Sequence, residues 1–375
     1  MRVLHINVNY IVSALHQTMI EHLNQLGIES KVFVPTYNRN RSIVDCKEYV
    51  TLSECFKKWD RLFYFKKQRK IIDAILENYK VGDFDVIHAY TLFTDGNAAM
   101  ELSKKYGVPY VVAIRNTDVN DFFKKMLHLR KHGVKILENA SAVFFLSPVY
   151  RDVVMQKYVP DYLRESIARK THIIPNGIDN FWHQNTYNRD ITSTEKRIQK
   201  DKELKCIYVG GIDRNKNIEL SLKALMQMNA NGWKCSLTSV GKIVDHSVYE
   251  QLSRYSFFVY VESKVKEELI HYYRNADIFI MPSHTETFGL VYAEAMSQGL
   301  PVIYTKGQGF DGQFPDGEIG CAVRDTDPWE VACAIEKVCE RYQIISKNAI
   351  KKVARFRWDG ICTQYCNIYQ KITHC

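Results

Sequence analysis

Two glutamates eight positions apart, Glu286 and Glu294, stand in the run HTETFGLVYAEAMSQG. Eight positions of helix turn through ~800°, about 80° past two full turns, so both carboxylates can face one ligand. Glu286 falls at the mouth of that helix, where the first amides have no intrahelical acceptor. The N–H groups near Phe288, Gly289 and Leu290 therefore offer an anion site by geometry and by dipole. Carboxylates accept from hydroxyls and unpaired amides donate to phosphate oxygens, so the pattern describes a ligand carrying both. The alternative is a first-turn acid favoured by the dipole and a solvated second glutamate, and the residue types alone leave both readings open.

The flanking residues must position that loop. Residues 278–281 are a short apolar β-forming run stopped by Pro282-Ser283. Leu290, Val291, Ala293, Ala295 and Met296 recur with a helical period that ends at Gly299, and residues 300–304 form another apolar run. Strand, helix and strand at this spacing predict a right-handed crossover unit in a parallel sheet. The alternation extends along the chain. Strands are expected at 2–8, 30–34, 85–89, 108–114, 142–146, 206–209, 237–240 and 257–261, with helices between them, which makes the class α/β.

The intact string E-TFGLVYA-E resembles the Glu, seven residues, Glu motif of glycosyltransferase family 4, retaining enzymes of the two-Rossmann (GT-B) class. The resemblance covers nearly the whole chain. It implies two Rossmann-like domains facing across a cleft: an acceptor domain over 1–180, a linker over 181–202, and a nucleotide-sugar domain over 203–355. The C-terminal helix, 356–375, would cross back to the first domain. The run Pro175-Asn176-Gly177-Ile178-Asp179 matches the family's exit from its first domain. By the same resemblance Glu286 meets the hydroxyls of the donor sugar and Glu294 holds the ribose. Gly210-Gly211 opens a second phosphate-handling turn, in which Lys216 matches the family's lysine at the diphosphate. Gly211 occupies the position of the family's arginine, with Arg214 as the substitute. Ser263 lies in the turn where relatives bind the base.

In the first domain the chain departs from the family. The turn of residues 9–13 lacks the usual glycine pair, with Ser13 as a candidate N-cap and His16 in the first helical turn, where a surface histidine is the simpler reading. Arg115 stands where the family commonly carries histidine. Arginine is always charged, cannot act as a neutral base, and suits a phosphate or an acidic acceptor. Asp118 keeps the family's acid and is expected to orient an acceptor hydroxyl, although a loop Asx cap would use the same residue.

The 375 residues, 46% hydrophobic and 25% charged, are too many for one core and imply two domains. No run of 18 or more apolar residues occurs and the chain enters a strand at once, so neither a membrane span nor a signal peptide is expected and the setting is cytoplasmic. None of the ten cysteines forms CxxC. Cys206, Cys235 and Cys333 read as core residues, and Cys362 and Cys366, stacked on one helix face without a second ligand pair, as free thiols. The net charge of +9 suits anionic partners, and no nucleic-acid motif accompanies it. Residues 56–70, FKKWDRLFYFKKQRK, set seven basic residues against Asp60 alone with aromatics interleaved. Such a segment can lie on an anionic bilayer at the inner face of the membrane, or can be a solvated face over a core-facing stripe.

Gly307-Gln-Gly-Phe-Asp-Gly312 fits GxGxxG in form, but Pro315 and Gly317 preclude the helix that a dinucleotide fingerprint needs, which excludes NAD and FAD and leaves a flexible loop over the donor. The DxD strings at 83–85 and 325–327 precede a buried strand and Pro328, so both read as turns and no essential metal is expected. No cofactor is expected beyond a UDP- or GDP-sugar as co-substrate. The resulting reading is a retaining, metal-independent transfer of a sugar to a saccharide or lipid-linked acceptor, with bacterial envelope polysaccharide assembly as the setting the resemblance implies. The rivals are a sugar-nucleotide epimerase of the same architecture and a non-enzymatic sugar-nucleotide binding protein.

Overall fold

The structure, a computed structural model, describes residues 1–38, 47–187 and 190–373. Cys46 and Cys375 lie outside the described residues. The chain divides into two compact units: Met1–Gly177 together with Trp358–Cys375, and Ile178–Arg357.

The first unit is built on seven parallel strands: β1 (Arg2–Ile6), β2 (Glu29–Pro35), β3 (Val50–Ser53), β4 (Val86–Ala89), β5 (Tyr110–Ile114), β6 (Ala142–Phe145) and β7 (Thr171–Ile173). Their order is β3-β2-β1-β4-β5-β6-β7. The chain winds outward from β1 in one direction and then outward from β4 in the other, so the loops after β1 and β4 flank a switch point. All four residues of β4 and all five of β5 are buried, as expected of parallel strands covered on both faces. One face packs Leu4, Ile6, Ile87, Val112 and Phe145 beneath helices. The other packs Val3, Val86, Val111 and Phe144 beneath the helix Trp358–Thr373. That helix buries Trp358, Ile361, Cys362, Tyr365, Cys366 and Tyr369, a stripe repeating at three and four residues. Its Tyr369 hydroxyl lies 2.6 Å from Nδ1 of His88 on β4.

The second unit holds six parallel strands: β8 (Glu203–Val209), β9 (Lys234–Val240), β10 (Phe258–Val261), β11 (Ile278–Met281), β12 (Val302–Thr305) and β13 (Gly320–Val323). The order β10-β9-β8-β11-β12-β13 puts its switch point between β8 and β11. The loops that leave those strands are the ones carrying Lys216 and Glu286.

The stretch expected as a linker, 181–202, is folded into the second unit. Asn180–Gln184 and Ile191–Asp201 are helices, Ile198 is 0% exposed, and Arg197 pairs with buried Asp277 at 2.6 Å. Its apolar anchors, Ile191 and Ile198, are seven residues apart in a polar run. Two anchors about two turns apart are too sparse for periodicity to reveal.

Candidate functional site

Two loops meet at the switch point of the second sheet because asparagines tie them together. Asn215 accepts from the Thr285 amide at 3.1 Å and donates to the Thr285 carbonyl at 2.9 Å. Asn217, in the left-handed region at φ 53°, donates to the carbonyls of Pro282 and Asp325. Asp213 caps the short turn Arg214–Lys216 by accepting from the Lys216 amide. This frame brings Lys216 Nζ to 2.8 Å from Glu286 Oε2, with both side chains mostly covered (23% and 13% exposed). The other glutamate oxygen accepts from the Thr287 amide. A contact of this kind, short and partly shielded from water, is stronger than an exposed pair.

The loop of residues 306–312 is not a free flap. Gln308 Oε1 accepts from the Glu286 amide and the Gly309 amide donates to the Glu286 carbonyl, at 3.1 and 3.0 Å. It braces the glutamate turn from behind, and turns rather than a helix follow it up to β13.

The helix behind Glu286 runs Leu290–Ser297 and starts at Gly289, which has φ 76° and provides no side-chain cap. A Cβ there would lie 2.4 Å from the Tyr292 ring. Glycine is thus required, and it leaves the opening amides of the helix without a capping side chain. The Phe288 side chain is a packing anchor, 2% exposed against Phe310 and Phe356 at 6.0 and 5.5 Å between ring centroids. Leu290 is half-buried. Glu294 lies one helical repeat on and accepts from the Tyr273 hydroxyl at 3.3 Å. Burial pushes its carboxyl up to about 7, with the Asp179 charge adding to the rise.

A cleft of about 290 Å³ opens beside the Gly210-Gly211 turn, lined also by Gly241, Lys242, Ser263 and Lys264. The backbones there approach closely: a Cβ on Gly241 would fall 1.9 Å from the Gly210 carbonyl oxygen. Tyr208 steadies the turn by donating to the Gly211 carbonyl at 2.8 Å. Ser263 is exposed at the rim. Arg214 points away from Lys216 toward Asp245, 3.5 Å distant, and its side chain is 82% exposed.

Arg115 and Asp118 belong to the first unit and sit at the end of β5. Asp118 is 1% exposed and accepts from the amides of Arg115, Leu92 and Phe93 at 2.8, 3.1 and 3.2 Å. Its oxygens are thereby committed to backbone, which is the Asx-cap use of this residue. Burial still raises its carboxyl to about 6. A π-helical turn, Asp118–Phe123, follows. Arg115 is 8% exposed, donating from Nε to the Tyr90 carbonyl and from Nη1 to Asn176 Oδ1. Ser13 caps its helix through the Leu15 amide. His16 is buried instead of lying on the surface, its ring edge-on to Tyr90, and burial holds it down to about 3. Among the described residues no group of three or more His, Cys, Asp or Glu is arranged to hold a metal ion.

Two family models match the chain: Glycosyltransferase Family 4 over residues 15–180 and Glycosyl transferases group 1 over residues 190–355. The chain belongs to glycosyltransferase family 4. It is a sugar-transferring enzyme of α/β architecture. Curated relatives include a D-inositol 3-phosphate glycosyltransferase of Paenarthrobacter aurescens, 25% identical over 72% of this chain and 68% of that protein. Another is the alpha-monoglucosyldiacylglycerol synthase of Acholeplasma laidlawii, 25% identical over 80% of this chain and 78% of that one. In fold, the glycosyltransferase is similar to sucrose-phosphate synthase from Thermosynechococcus elongatus, with TM-score 0.77, 21% identity and coverage of 99% and 98% of the two chains. It is also similar to Anabaena HepE, solved with UDP-glucose, with TM-score 0.68, 16% identity and coverage of 99% and 100%.

Around the glutamate of this glycosyltransferase, sequence reasoning missed Asn215, Asn217, Tyr208, Tyr273 and Gln308. Only the asparagines left a signal, as Asx residues flanking Lys216 in a turn. Gln308 and the tyrosines act across long stretches of chain and left none.

Proposed function

We propose that the second unit binds a UDP- or GDP-linked sugar and that the enzyme transfers the sugar with retention, without a metal, to an acceptor held by the first unit. The observation that carries this reading is the Lys216–Glu286 contact at the uncapped mouth of the helix Leu290–Ser297. The lysine and the helix amides supply positive charge where a departing diphosphate gains negative charge, and each such interaction is worth about 2.7–4 kcal/mol of barrier. Glu286 takes the sugar hydroxyls, Glu294 the ribose, and the cleft beside Gly210, Gly211 and Ser263 the base. Anabaena HepE, a structural neighbour solved with UDP-glucose, supports UDP as the first nucleotide to try. The resemblance to family 4 supports a front-face reaction, with a phosphate oxygen of the donor assisting removal of the acceptor proton.

A membrane surface is part of this proposal. Within residues 56–70, Phe56, Gln68 and Asp60 turn inward, and Tyr64 donates to the Phe93 carbonyl. Trp59, Leu62, Phe63 and Phe65 turn outward and are 77%, 74%, 62% and 62% exposed. Lys57, Lys58, Arg61, Lys66 and Arg69, interleaved with them in sequence, are exposed as well. Exposed apolar tips interleaved with exposed basic side chains suit an anionic lipid surface and a lipid-linked acceptor. Among the described residues no helix is long and apolar enough to cross a membrane.

The decisive experiment incubates the enzyme in EDTA with UDP- or GDP-sugars and an extract of lipid-linked sugars. Acceptor-dependent release of nucleoside diphosphate, with a product linkage of the same anomeric configuration as the donor, is expected. Donor turnover without acceptor points to an epimerase, and binding without turnover to a binding protein. Activity that disappears in EDTA refutes metal independence. For the surface, flotation with anionic liposomes should be lost when Lys57, Lys58 and Lys66 become Glu, and unchanged flotation refutes the docking face.

A further inference from the structure

Arg115 is a cation in the wrong surroundings for a structural residue. It stands directly after β5, at the carboxyl edge of the first sheet, and is 8% exposed. Both of its hydrogen-bond partners, the Tyr90 carbonyl and the Asn176 side-chain oxygen, are neutral. Among the described residues no carboxylate lies within ion-pairing distance of its guanidinium.

The two buried carboxylates nearby are turned to other work. Asp118 serves three backbone amides. Asp95 serves the Thr91 hydroxyl and the Val8 amide, and burial pushes its carboxyl up to about 8 against the pull of the Lys67 charge. His16, in the first turn of the helix Ala14–Gln25, is held neutral by burial and by the Arg115 charge, and that first turn carries no acidic residue. A neutral donor would satisfy the same two acceptors. A permanently charged side chain, buried, outside ion-pairing distance of any described carboxylate and balanced only by the charge of the amide-bound Asp118, is costly to keep. Such a cost is recovered when an anion arrives, and the planar guanidinium is shaped to hold a phosphoryl group with paired donors.

We propose that Arg115 holds a phosphoryl group of a bound substrate at the edge of the first sheet. This rests on the glycosyltransferase reading and narrows it, because a phosphoryl group here that is not the donor's own means that the acceptor carries phosphate. Either source presents the same chemistry, and the test separates them.

Inorganic phosphate is titrated into the full chain by calorimetry, with and without saturating UDP, for the wild type, Arg115→Gln and Arg115→Lys. Phosphate should bind the wild type in the presence of UDP, and Arg115→Gln should bind it at least about tenfold more weakly. Arg115→Lys, which keeps the charge without the fork, should lose about threefold or more. Unchanged UDP affinity in both variants assigns the anion to the acceptor, whereas a parallel loss of UDP affinity assigns it to the donor diphosphate. Equal phosphate affinity in wild type and Arg115→Gln overturns the proposal, as does a wild type that binds no phosphate. If Arg115→Gln does not fold, an unchanged affinity in Arg115→Lys overturns it. If UDP does not bind, GDP takes its place, and if neither binds the donor reading fails, while the phosphate titration without nucleotide still decides the role of Arg115.

Discussion

The carboxyl edges of the two sheets use charge in opposite ways. On the second sheet Lys216 and Glu286 face each other at 2.8 Å, both reach solvent, and the helix behind them opens at Gly289 with no side-chain cap. On the first sheet Asp118 and Asp95 are buried and bound to their own backbone or to Thr91, and Arg115 bonds neutral oxygens. One edge is poised to exchange internal partners for a ligand. The other has spent its carboxylates on shaping loops and keeps one unmatched cation. A diphosphate can be read by backbone amides, which any sequence supplies provided glycine lets the ligand approach. An acceptor must be read by side chains, and those differ between enzymes of one fold.

Breaking the pair on the second sheet should have the largest effect. Lys216→Ala and Glu286→Ala should each lower kcat by about 10²–10³ in a donor–acceptor assay, with the fold intact by circular dichroism. If neither changes turnover, the two edges do not differ in the way described. The converse test is Asp118→Ala, which leaves three buried amides without an acceptor. It should cost about 3 kcal/mol of local stability, read as faster hydrogen exchange at Leu92, Phe93 and Arg115, while UDP affinity is unchanged.

Glu294 sharpens the comparison through pH. Its carboxyl is held at about 7 in the folded protein, from an ordinary value of 4.5. Between those values the folded chain keeps a proton that the unfolded chain has released, so stability falls as pH rises through this window, and the loss is complete above it. Glu294→Gln cannot ionise and should gain about 2 kcal/mol relative to the parent between pH 5 and pH 8, read as a growing Tm difference. A Tm difference independent of pH would show that the carboxyl is not shielded. Glu294→Ala should raise the donor KM about tenfold, roughly 1.4 kcal/mol, and leave kcat close to the parent value. Arg214→Ala is the smallest effect, within about 0.5 kcal/mol in stability, since an 82% exposed side chain 3.5 Å from its partner is screened by water.

The second edge was the more legible in the sequence. The helix mouth at Gly289 and the strand Ile278–Met281 follow from short-range patterns, whereas Lys216 meets Glu286 across 70 positions of chain. Phe288 shows the limit of that reading: its place in the motif marks the loop, yet its ring packs on Phe310 and Phe356. The 306–312 loop shows the same limit, since its glycines suggest a flap and its contacts make it a brace. Arg214 offers a substitute for the missing cation in sequence, and only the structure shows Asp245 beside it. His16 looked like a surface residue because nothing local reports that Tyr90 covers it.

By itself the sequence determined the alternation of strands and helices, the eight-residue spacing of Glu286 and Glu294, and the turns where only glycine fits. Each of these depends on covalent geometry and on neighbours within a few residues. The tertiary structure alone decided that residues 191–201 pack as a helix in the second unit, and that Asp118 faces amides while Arg115 faces no carboxylate. Those outcomes turn on burial and on which polar group each charge meets, and such meetings are set by chain segments tens to hundreds of residues apart.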